Sequence, residues 1–177
     1  MRKPLLILGL VGLLTAAFVA PAAAARPDGA GRPTLLTTAI ALNSSGAYAG
    51  QFDTLLSLAG SYPAVVDALS GRTQLTVFAP TDAAFDELFA FAAANGIALT
   101  DELVLDVLLY HVAPGRWSAG RVVDTAGGEI PTLNGDTLDV SLANGSVFID
   151  QAQVIATDVT ASNGFIHAID AVLLPGS

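Results

Sequence analysis

The sequence predicts an α+β fold, with an N-terminal helical cluster packed on a twisted, mostly antiparallel β-sheet that forms one sheet or a two-sheet sandwich. Between residues 34 and 110, apolar side chains recur at helical spacing, and residues that cap or break helices separate the segments. One short apolar stretch inside this region is rich in β-favouring residues. After residue 116, short β-type runs alternate with Gly-Gly and Asn-Gly turns. Together these three observations indicate helices first and hairpins second.

The N-terminus predicts a secretory signal peptide over residues 1–25. Two basic residues precede an apolar run at 5–20, and small residues follow up to a cleavage point after Ala24 or Ala25. The alternative interpretation is an uncleaved membrane anchor. No other stretch is apolar and long enough to cross a bilayer, so no span is expected after cleavage.

Beyond the signal, residues 26–33 are rich in Gly, Pro and Arg and predict a flexible leader. A single folded domain is expected over residues 34–175. Five helices are predicted before the hairpin region. They are 35–42, a second helix capped by Asp53, a third that Tyr62-Pro63 opens and Ser70-Gly71 ends, a fourth that runs to about Ala94, and a fifth capped by Thr100.

The stretch from residue 75 to residue 88 predicts one strand, one sharp turn and one helix. Leu75 to Ala79 is a short run with β-favouring side chains, and Pro80 ends it because proline has no N–H to donate to a sheet. Thr81 or Asp82 then caps the fourth helix. Its expected buried face consists of Phe85, Leu88 and Phe89.

The hairpin region contains four predicted strands separated by turn signals. Asn-Gly between two β-type runs is the strongest short-range signal for a hairpin. The runs are 137–142, 147–149, 154–156 and 165–169. The second half of the domain is therefore expected to be mostly antiparallel sheet.

Composition and charge exclude several classes of function. The chain has 16 acidic and 7 basic residues in 177, a formal net charge of −9. Without Arg2 and Lys3 of the signal, five arginines face the 16 acids and the formal charge is −11. Nucleic acids and anionic membranes are therefore poor partners. The absence of cysteine excludes disulfides, thiol catalysis and Cys-bound zinc.

Three motifs in order resemble the landmarks of the fasciclin (FAS1) domain. Residues 76–85, Thr-Val-Phe-Ala-Pro-Thr-Asp-Ala-Ala-Phe, resemble its first signature box, and Tyr110-His111 followed by Val-Ala-Pro-Gly resembles its Tyr-His motif. Residues 163–175, Asn-Gly-Phe-Ile-His-Ala-Ile-Asp-Ala-Val-Leu-Leu-Pro, resemble its second box. The motif positions with an expected structural role are Thr76, Phe78, Pro80, Thr81, Phe85, Asn163, Gly164, His167 and Asp170. The resemblance covers residues 34–175 and implies the FAS1 fold in a single-domain, secreted, bacterial-type member.

The two histidines are expected to be structural. His167 alternates with Phe165 and Ile169, so the three share one apolar strand face and the imidazole is expected to be packed. Asp170 lies on the opposite face of a regular strand, so a catalytic His–Asp pair is not predicted. For Tyr110 and His111 the resemblance implies a tie between helix and sheet, with direct contact to a partner as the alternative.

Asp158 and Val159 are the other candidate contacts with a partner. They lie where integrin-binding animal members of the resembled family carry an acidic residue followed by Ile, although Thr157 replaces a Pro of that motif. A loop carboxylate beside an apolar side chain can orient and bury against a receptor. The alternative is that Asp158 caps a turn.

No metal site, cofactor or catalytic centre is predicted. Asp136 and Asp139 flank a strand start and could bind calcium weakly, but a solvated strand edge explains them as well. Serine hydrolysis lacks its Gly-x-Ser-x-Gly motif. The sequence therefore predicts a non-catalytic adhesion module that binds a cell-surface or matrix protein or glycan and is secreted, periplasmic or held at the cell surface. The alternatives are an extracytoplasmic carrier of a small ligand or lipid, a secreted hydrolase, and a secreted antigen related to stress or biofilm formation with no single partner.

Overall fold

A computed structural model describes residues 32–176 of the chain. The predicted signal peptide at 1–25 and the predicted leader, apart from its last two residues, lie outside the described part. Within that part, none of the helices has the length and hydropathy needed to span a membrane.

The described residues form six helices, of which the first five match the predicted ones. Thr34 and Thr100 cap their helices through side-chain oxygens that accept from the N–H groups of Thr37 and Leu103. Gly96, in the left-handed conformation at φ 65°, ends the fourth helix. The helices are α1 Leu35–Ser44, α2 Asp53–Ser61, α3 Pro63–Ser70, α4 Asp82–Asn95, α5 Asp101–Tyr110 and α6 Ala119–Asp124.

Within residues 32–176, seven strands form one mixed sheet in the order β2-β1-β7-β6-β5-β4-β3. They are β1 Leu75–Pro80, β2 Val112–Pro114, β3 Glu129–Pro131, β4 Thr137–Ala143, β5 Ser146–Ile149, β6 Ala152–Ala161 and β7 Gly164–Ile169. Only β1 and β7 are parallel, so the prediction of a mostly antiparallel sheet is confirmed. The Leu133 N–H donates to the Val112 carbonyl at 2.8 Å, which brings the two outer strands together and makes the sheet nearly barrel-like.

The apolar core has two parts, one on each face of β1. Val77 packs with α1 to α5 on the helical side, whereas Phe78 packs with Ile130, Leu138 and Ile149 inside the sheet. All six residues of β1 are buried. This explains why its sequence is apolar at every position except Thr76 and does not alternate between apolar and polar residues.

The turn between β1 and α4 caps a different helix from the expected one. Thr81 is the N-cap of α4, but its side chain makes no capping hydrogen bond. Asp82 instead turns its carboxylate to the start of α2 and accepts from the N–H groups of Asp53 at 3.1 Å and Thr54 at 2.8 Å. The prediction that Asp53 caps α2 is therefore wrong, because Phe52 holds the N-cap position and a residue 29 positions later supplies the acceptor.

The predicted buried face of α4 is only partly correct. Phe85 is buried, Leu88 is half-buried, and Phe89 is 40% exposed. The buried residues of this helix are Ala84, Phe85 and Ala92, so the face that packs is narrower than the predicted one.

The Asn163-Gly164 pair joins the sheet to the helices. The buried Asn163 amide accepts from the Leu35 N–H at 2.8 Å and donates to the carbonyls of Leu69 at 3.1 Å and Gly71 at 2.9 Å. A Cβ atom on Gly164 would lie 1.7 Å from the carbonyl oxygen of Leu75. Only glycine therefore allows β1 and β7 to approach this closely.

Candidate functional site

A β-bulge in β6 places Asp158 on the surface. From residue 156 to residue 159 β6 advances three positions, whereas β7 advances only two, from 168 to 166. The extra residue lets the chain adopt φ 58° at Asp158, a left-handed conformation that non-glycine residues rarely take. Asp158 is exposed, and Val159 beside it is half-buried against the helical core.

Two hydrogen bonds hold Asp158 in this position. Its N–H donates to Nδ1 of His167 at 3.3 Å, and its Oδ1 accepts from the Ala119 N–H at 2.8 Å. Asp158 thus contacts the first turn of α6, where the Ser118 hydroxyl also accepts, from the Arg121 N–H. The bulge is anchored to β7 on one side and to α6 on the other.

The buried His167 side chain contacts the bulge from the interior of the domain. The side chain is 1% exposed and stacks on Phe78, with ring centroids 5.7 Å apart. Its Nε2 lies 2.7 Å from the Trp117 carbonyl, and since Nδ1 accepts from Asp158, the proton is on Nε2. Burial lowers the pKa of His167, which favours this neutral form.

Residues 116–121, the crossing segment, run from the end of β2 into α6 beside the bulge. The Trp117 N–H donates to Oγ1 of Thr76 at 2.8 Å, and that hydroxyl donates to the Gly115 carbonyl at 2.9 Å. The indole N–H of Trp117 donates to the Pro114 carbonyl at 2.9 Å. Thr76 of the first motif therefore fixes the crossing segment to the sheet.

Two arginines of the crossing segment lie on aromatic rings. The Cζ atom of Arg116 is 4.3 Å from the ring centroid of Phe165, and that of Arg121 is 4.0 Å from the ring of Trp117. Sequence reasoning missed both. The available signal was two arginines within six residues of a chain with few cations, flanking its single tryptophan.

Tyr110 and His111 are both buried. The Nδ1 of His111 lies 2.6 Å from the Val107 carbonyl, and its Nε2 accepts from the Leu173 N–H at 3.0 Å. Burial lowers the pKa of His111 to about 4. The ring therefore links the end of α5 to the C-terminal segment of the domain.

The Tyr110 hydroxyl lies 3.0 Å from the Thr137 carbonyl and 2.9 Å from Oδ2 of Asp150. Burial, together with the hydrogen bond from Tyr110 to the Asp150 carboxylate, raises the pKa of this phenol. No hydrogen bond or ring contact among the described residues joins Tyr110 or His111 to Asp158 or Val159. Of the four candidate contact residues, the structure exposes Asp158 and part of Val159, whereas Tyr110 and His111 lie in the interior.

The remaining motif residues also make structural contacts. Asp170 follows β7 at the surface, and its carboxylate accepts from the Gln153 N–H at 2.7 Å. Asp136 and Asp139 bond within their own hairpins, through Asn134 and Asp150 respectively. Among residues 32–176, no group of three or more His, Cys, Asp or Glu side chains is arranged to hold a metal ion.

An apolar cavity lies between α1 to α3 and the sheet. Its lining includes Leu35, Leu55, Val65 and Ile166, and its volume is about 30 Å³. A single water needs about this much space. In this conformation the cavity does not accommodate a lipid or a drug-sized ligand.

Comparison with known proteins places the chain among fasciclin domains. A family model of the fasciclin domain matches residues 50–175. Protein sll1483 of Synechocystis sp. is 41% identical over 113 residues, which cover 63% of this chain and 61% of that protein. Two proteins of Mycobacterium bovis match over 111 residues and 63% of this chain. They are immunogenic protein MPB70, 35% identical over 54% of its length, and cell surface glycolipoprotein MPB83, 36% identical over 48% of its length.

The chain thus spans about half to three fifths of the length of these relatives. Among solved structures, the FAS1 domain pair from the insect cell adhesion molecule Fasciclin I superposes with a TM-score of 0.61 at 20% identity. The match covers 80% of this chain and 51% of that chain. At this identity the likeness shows a shared fold.

Proposed function

Because this chain belongs to the fasciclin domain family, we propose that it is an exported, non-catalytic adhesion module whose Asp158 bulge contacts a cell-surface or matrix protein or glycan. The contact is expected at one specific surface of this chain. That surface consists of the Asp158 bulge, with Val159 beside it, and the crossing segment.

The observation that carries the proposal is the conformation of Asp158. This exposed, non-glycine residue at φ 58° is held by two hydrogen bonds, one that its N–H donates and one that its carboxylate accepts. A left-handed backbone costs most non-glycine residues about 1–2 kcal/mol and costs aspartate less, and at Asp158 the two hydrogen bonds stabilise it. Residues of this kind cluster at binding sites because they present a side chain in one fixed orientation.

The buried histidines support a non-catalytic role. The chain has two histidines, and both ring nitrogens of each bond to main-chain groups. Neither ring can reach a substrate, so a hydrolase would need a base of another kind. The carrier alternative needs an interior site larger than the 30 Å³ cavity.

Export and adhesion are supported by the sequence and by the relatives. The N-terminal basic and apolar regions predict a signal peptide. One relative is named a cell surface glycolipoprotein, and the structural neighbour belongs to a cell adhesion molecule. We extend export and adhesion to the present chain, which would then lie in the periplasm, at the cell surface or in the medium.

The test is adhesion of protein-coated beads to cells and to matrix polymers. Asp158→Asn removes the charge but keeps an oxygen that accepts from Ala119, and asparagine tolerates a left-handed backbone. The matched control is Asp170→Asn, a second exposed aspartate whose carboxylate accepts a main-chain N–H. We expect Asp158→Asn to weaken adhesion several-fold with an unchanged melting temperature, and Asp170→Asn to leave adhesion unchanged.

Two results would overturn the proposal. If wild-type beads adhere to nothing offered, the chain is not an adhesion module. If both variants adhere like the wild type, adhesion does not use the bulge.

A further inference from the structure

The crossing segment concentrates positive charge in an acidic protein. Of the four arginines among the described residues, two lie in this six-residue segment, while the formal charge of the whole chain is −9. Arg116 donates to the Gln74 side chain at 3.0 Å, and Arg121 donates to the Arg116 carbonyl at 3.3 Å. Within residues 32–176 no carboxylate pairs with either guanidinium. Two arginines on one short segment, neither paired with a carboxylate, favour an anionic ligand.

Both guanidinium groups are held in place before any ligand arrives. Each lies over an aromatic ring, 4.3 Å from Phe165 for Arg116 and 4.0 Å from Trp117 for Arg121. Trp117 is itself fixed by hydrogen bonds from its main-chain and indole N–H groups. Arg116 is half-buried and Arg121 is exposed. Their planar N–H edges suit the two oxygens of a carboxylate, and less rotamer freedom remains to be lost on binding.

The place of the segment in the fold argues against an acidic peptide as the ligand. A peptide commonly adds a strand to a free sheet edge or lays a helix in an apolar groove. The crossing segment is bonded to β1 through Thr76 and to β7 through Phe165 and His167, and both strands have neighbours on each side. No free sheet edge is available at this point.

The overall charge also limits the kind of anion. A net charge of −9 repels densely charged polymers such as heavily sulfated chains. A polymer with one carboxylate per sugar or per two sugars is repelled less. It also offers many equivalent groups to a two-arginine site, so that weak single contacts add up through avidity.

We infer that Arg116 and Arg121 form a binding site for the carboxylates of an acidic polysaccharide. The inference rests on the proposed adhesion function and names the class of partner for the same surface.

The experiment measures binding of the purified protein to immobilised polygalacturonate, with fully methyl-esterified polygalacturonate as the neutral control and polyglutamate as the acidic-peptide control. Arg116→Gln and Arg121→Gln are each expected to weaken binding to polygalacturonate roughly tenfold, the value of one lost charged hydrogen-bonding group. Arg72→Gln, at an exposed arginine outside the crossing segment, makes the same change in charge and is expected to stay within about twofold of the wild type.

A second pair of variants separates geometry from charge. R116K and R121K keep the positive charge and lose the planar fork, so they are expected to bind several-fold more weakly than the wild type. A melting curve of each variant shows that the fold is intact. Lysine keeps the aliphatic part of the arginine side chain and its packing. The two lysine variants can therefore still test the site if a glutamine variant does not fold.

Four outcomes would overturn the inference. They are wild-type protein that does not bind polygalacturonate, equal binding to the methyl ester, equal or tighter binding to polyglutamate, and an equal loss in Arg72→Gln. If beads adhere to cells but the protein does not bind polygalacturonate, the carboxylate site is contradicted and the adhesion proposal is not. If the protein binds polygalacturonate but beads adhere to no cell or matrix, the adhesion proposal fails and the carboxylate site stands.

Discussion

His111 and His167 bind main-chain groups through opposite ring nitrogens. In His111, Nδ1 carries the proton for the Val107 carbonyl and Nε2 accepts from Leu173. In His167, Nε2 carries the proton for the Trp117 carbonyl and Nδ1 accepts from Asp158. Each neutral ring therefore links two segments that are distant in sequence, and each needs its own tautomer to do so.

Removing the His167 ring is expected to destabilise the domain. His167→Ala leaves the Asp158 N–H and the Trp117 carbonyl without a partner and should lower the free energy of unfolding by roughly 1–3 kcal/mol. Urea titration or a melting curve measures the loss. Ser141→Ala, at an exposed position of β4, is the control and should change little. An unchanged melting temperature in His167→Ala would contradict the bridging role.

Stability is expected to fall in mild acid. Burial lowers the pKa of His111 to about 4 and also lowers that of His167. Between their usual value of 6.5 and these lowered values, the unfolded chain binds more protons than the folded one. The free energy of unfolding is therefore greatest above pH 6.5 and decreases as the pH falls towards 4. His111 alone would contribute on the order of 3 kcal/mol.

Asp150 acts in the opposite sense on the same pH profile. Burial raises the pKa of its carboxyl, so as the pH falls the folded state binds this proton before the unfolded state does. This binding stabilises the folded state and offsets part of the stability lost through the histidines. Urea titrations between pH 7 and pH 4 measure the sum. His111→Asn cannot titrate and should give a shallower slope. The same slope in variant and wild type would contradict the role of His111.

Because Asp82 caps α2, removing its carboxylate should lower the stability of the domain, whereas removing another carboxylate of α4 should not. Asp82→Ala leaves the N–H groups of Asp53 and Thr54 at the start of α2 without an acceptor, which should cost about 1–2 kcal/mol. Asp82→Asn keeps one acceptor oxygen and should lose less. Asp86→Ala, an exposed aspartate of the same helix, should stay within about 0.5 kcal/mol of the wild type. Equal losses in the two alanine variants would point to a general charge effect.

Gly164→Ala should be among the most damaging substitutions in the chain. The new Cβ atom would lie 1.7 Å from the Leu75 carbonyl oxygen, so β1 and β7 must separate. We expect a loss of about 4 kcal/mol or more, or failure to fold. Gly60→Ala places its Cβ in open space on α2 and should be neutral or stabilising by up to about 1 kcal/mol. A mild effect at Gly164 would show that the strands can move apart.

The main elements of the fold were predictable because their signals are local. The helical starts at Thr34 and Thr100, the stop at Gly96 and the strand at 75–80 follow from residues within a few positions of each boundary. The short elements β2, β3 and α6 were missed, since three to six residues carry too little periodicity. Phe89 was predicted to be buried because periodicity gives a helix face but not the width of its contact.

The candidate surface depended on contacts that sequence spacing does not contain. The Asp158 position could be singled out from the chain, but not its bulge, since the extra residue is defined only by the register against β7. Arg116 and Phe165 are far apart in sequence and meet only because the crossing segment passes over β7.

By itself, the sequence determined the α+β class, the order of the main helices and strands, the acidic character and the family motifs, because each depends on residue type and short-range periodicity. The tertiary structure alone decided that Asp82 caps α2, that the two histidines are neutral bridges with opposite tautomers, and that two arginines lie on aromatic rings beside the Asp158 bulge. The physical reason is that hydrogen bonds and ring contacts act over a few ångströms in space, so their partners are chosen by strand pairing and packing and not by distance along the chain.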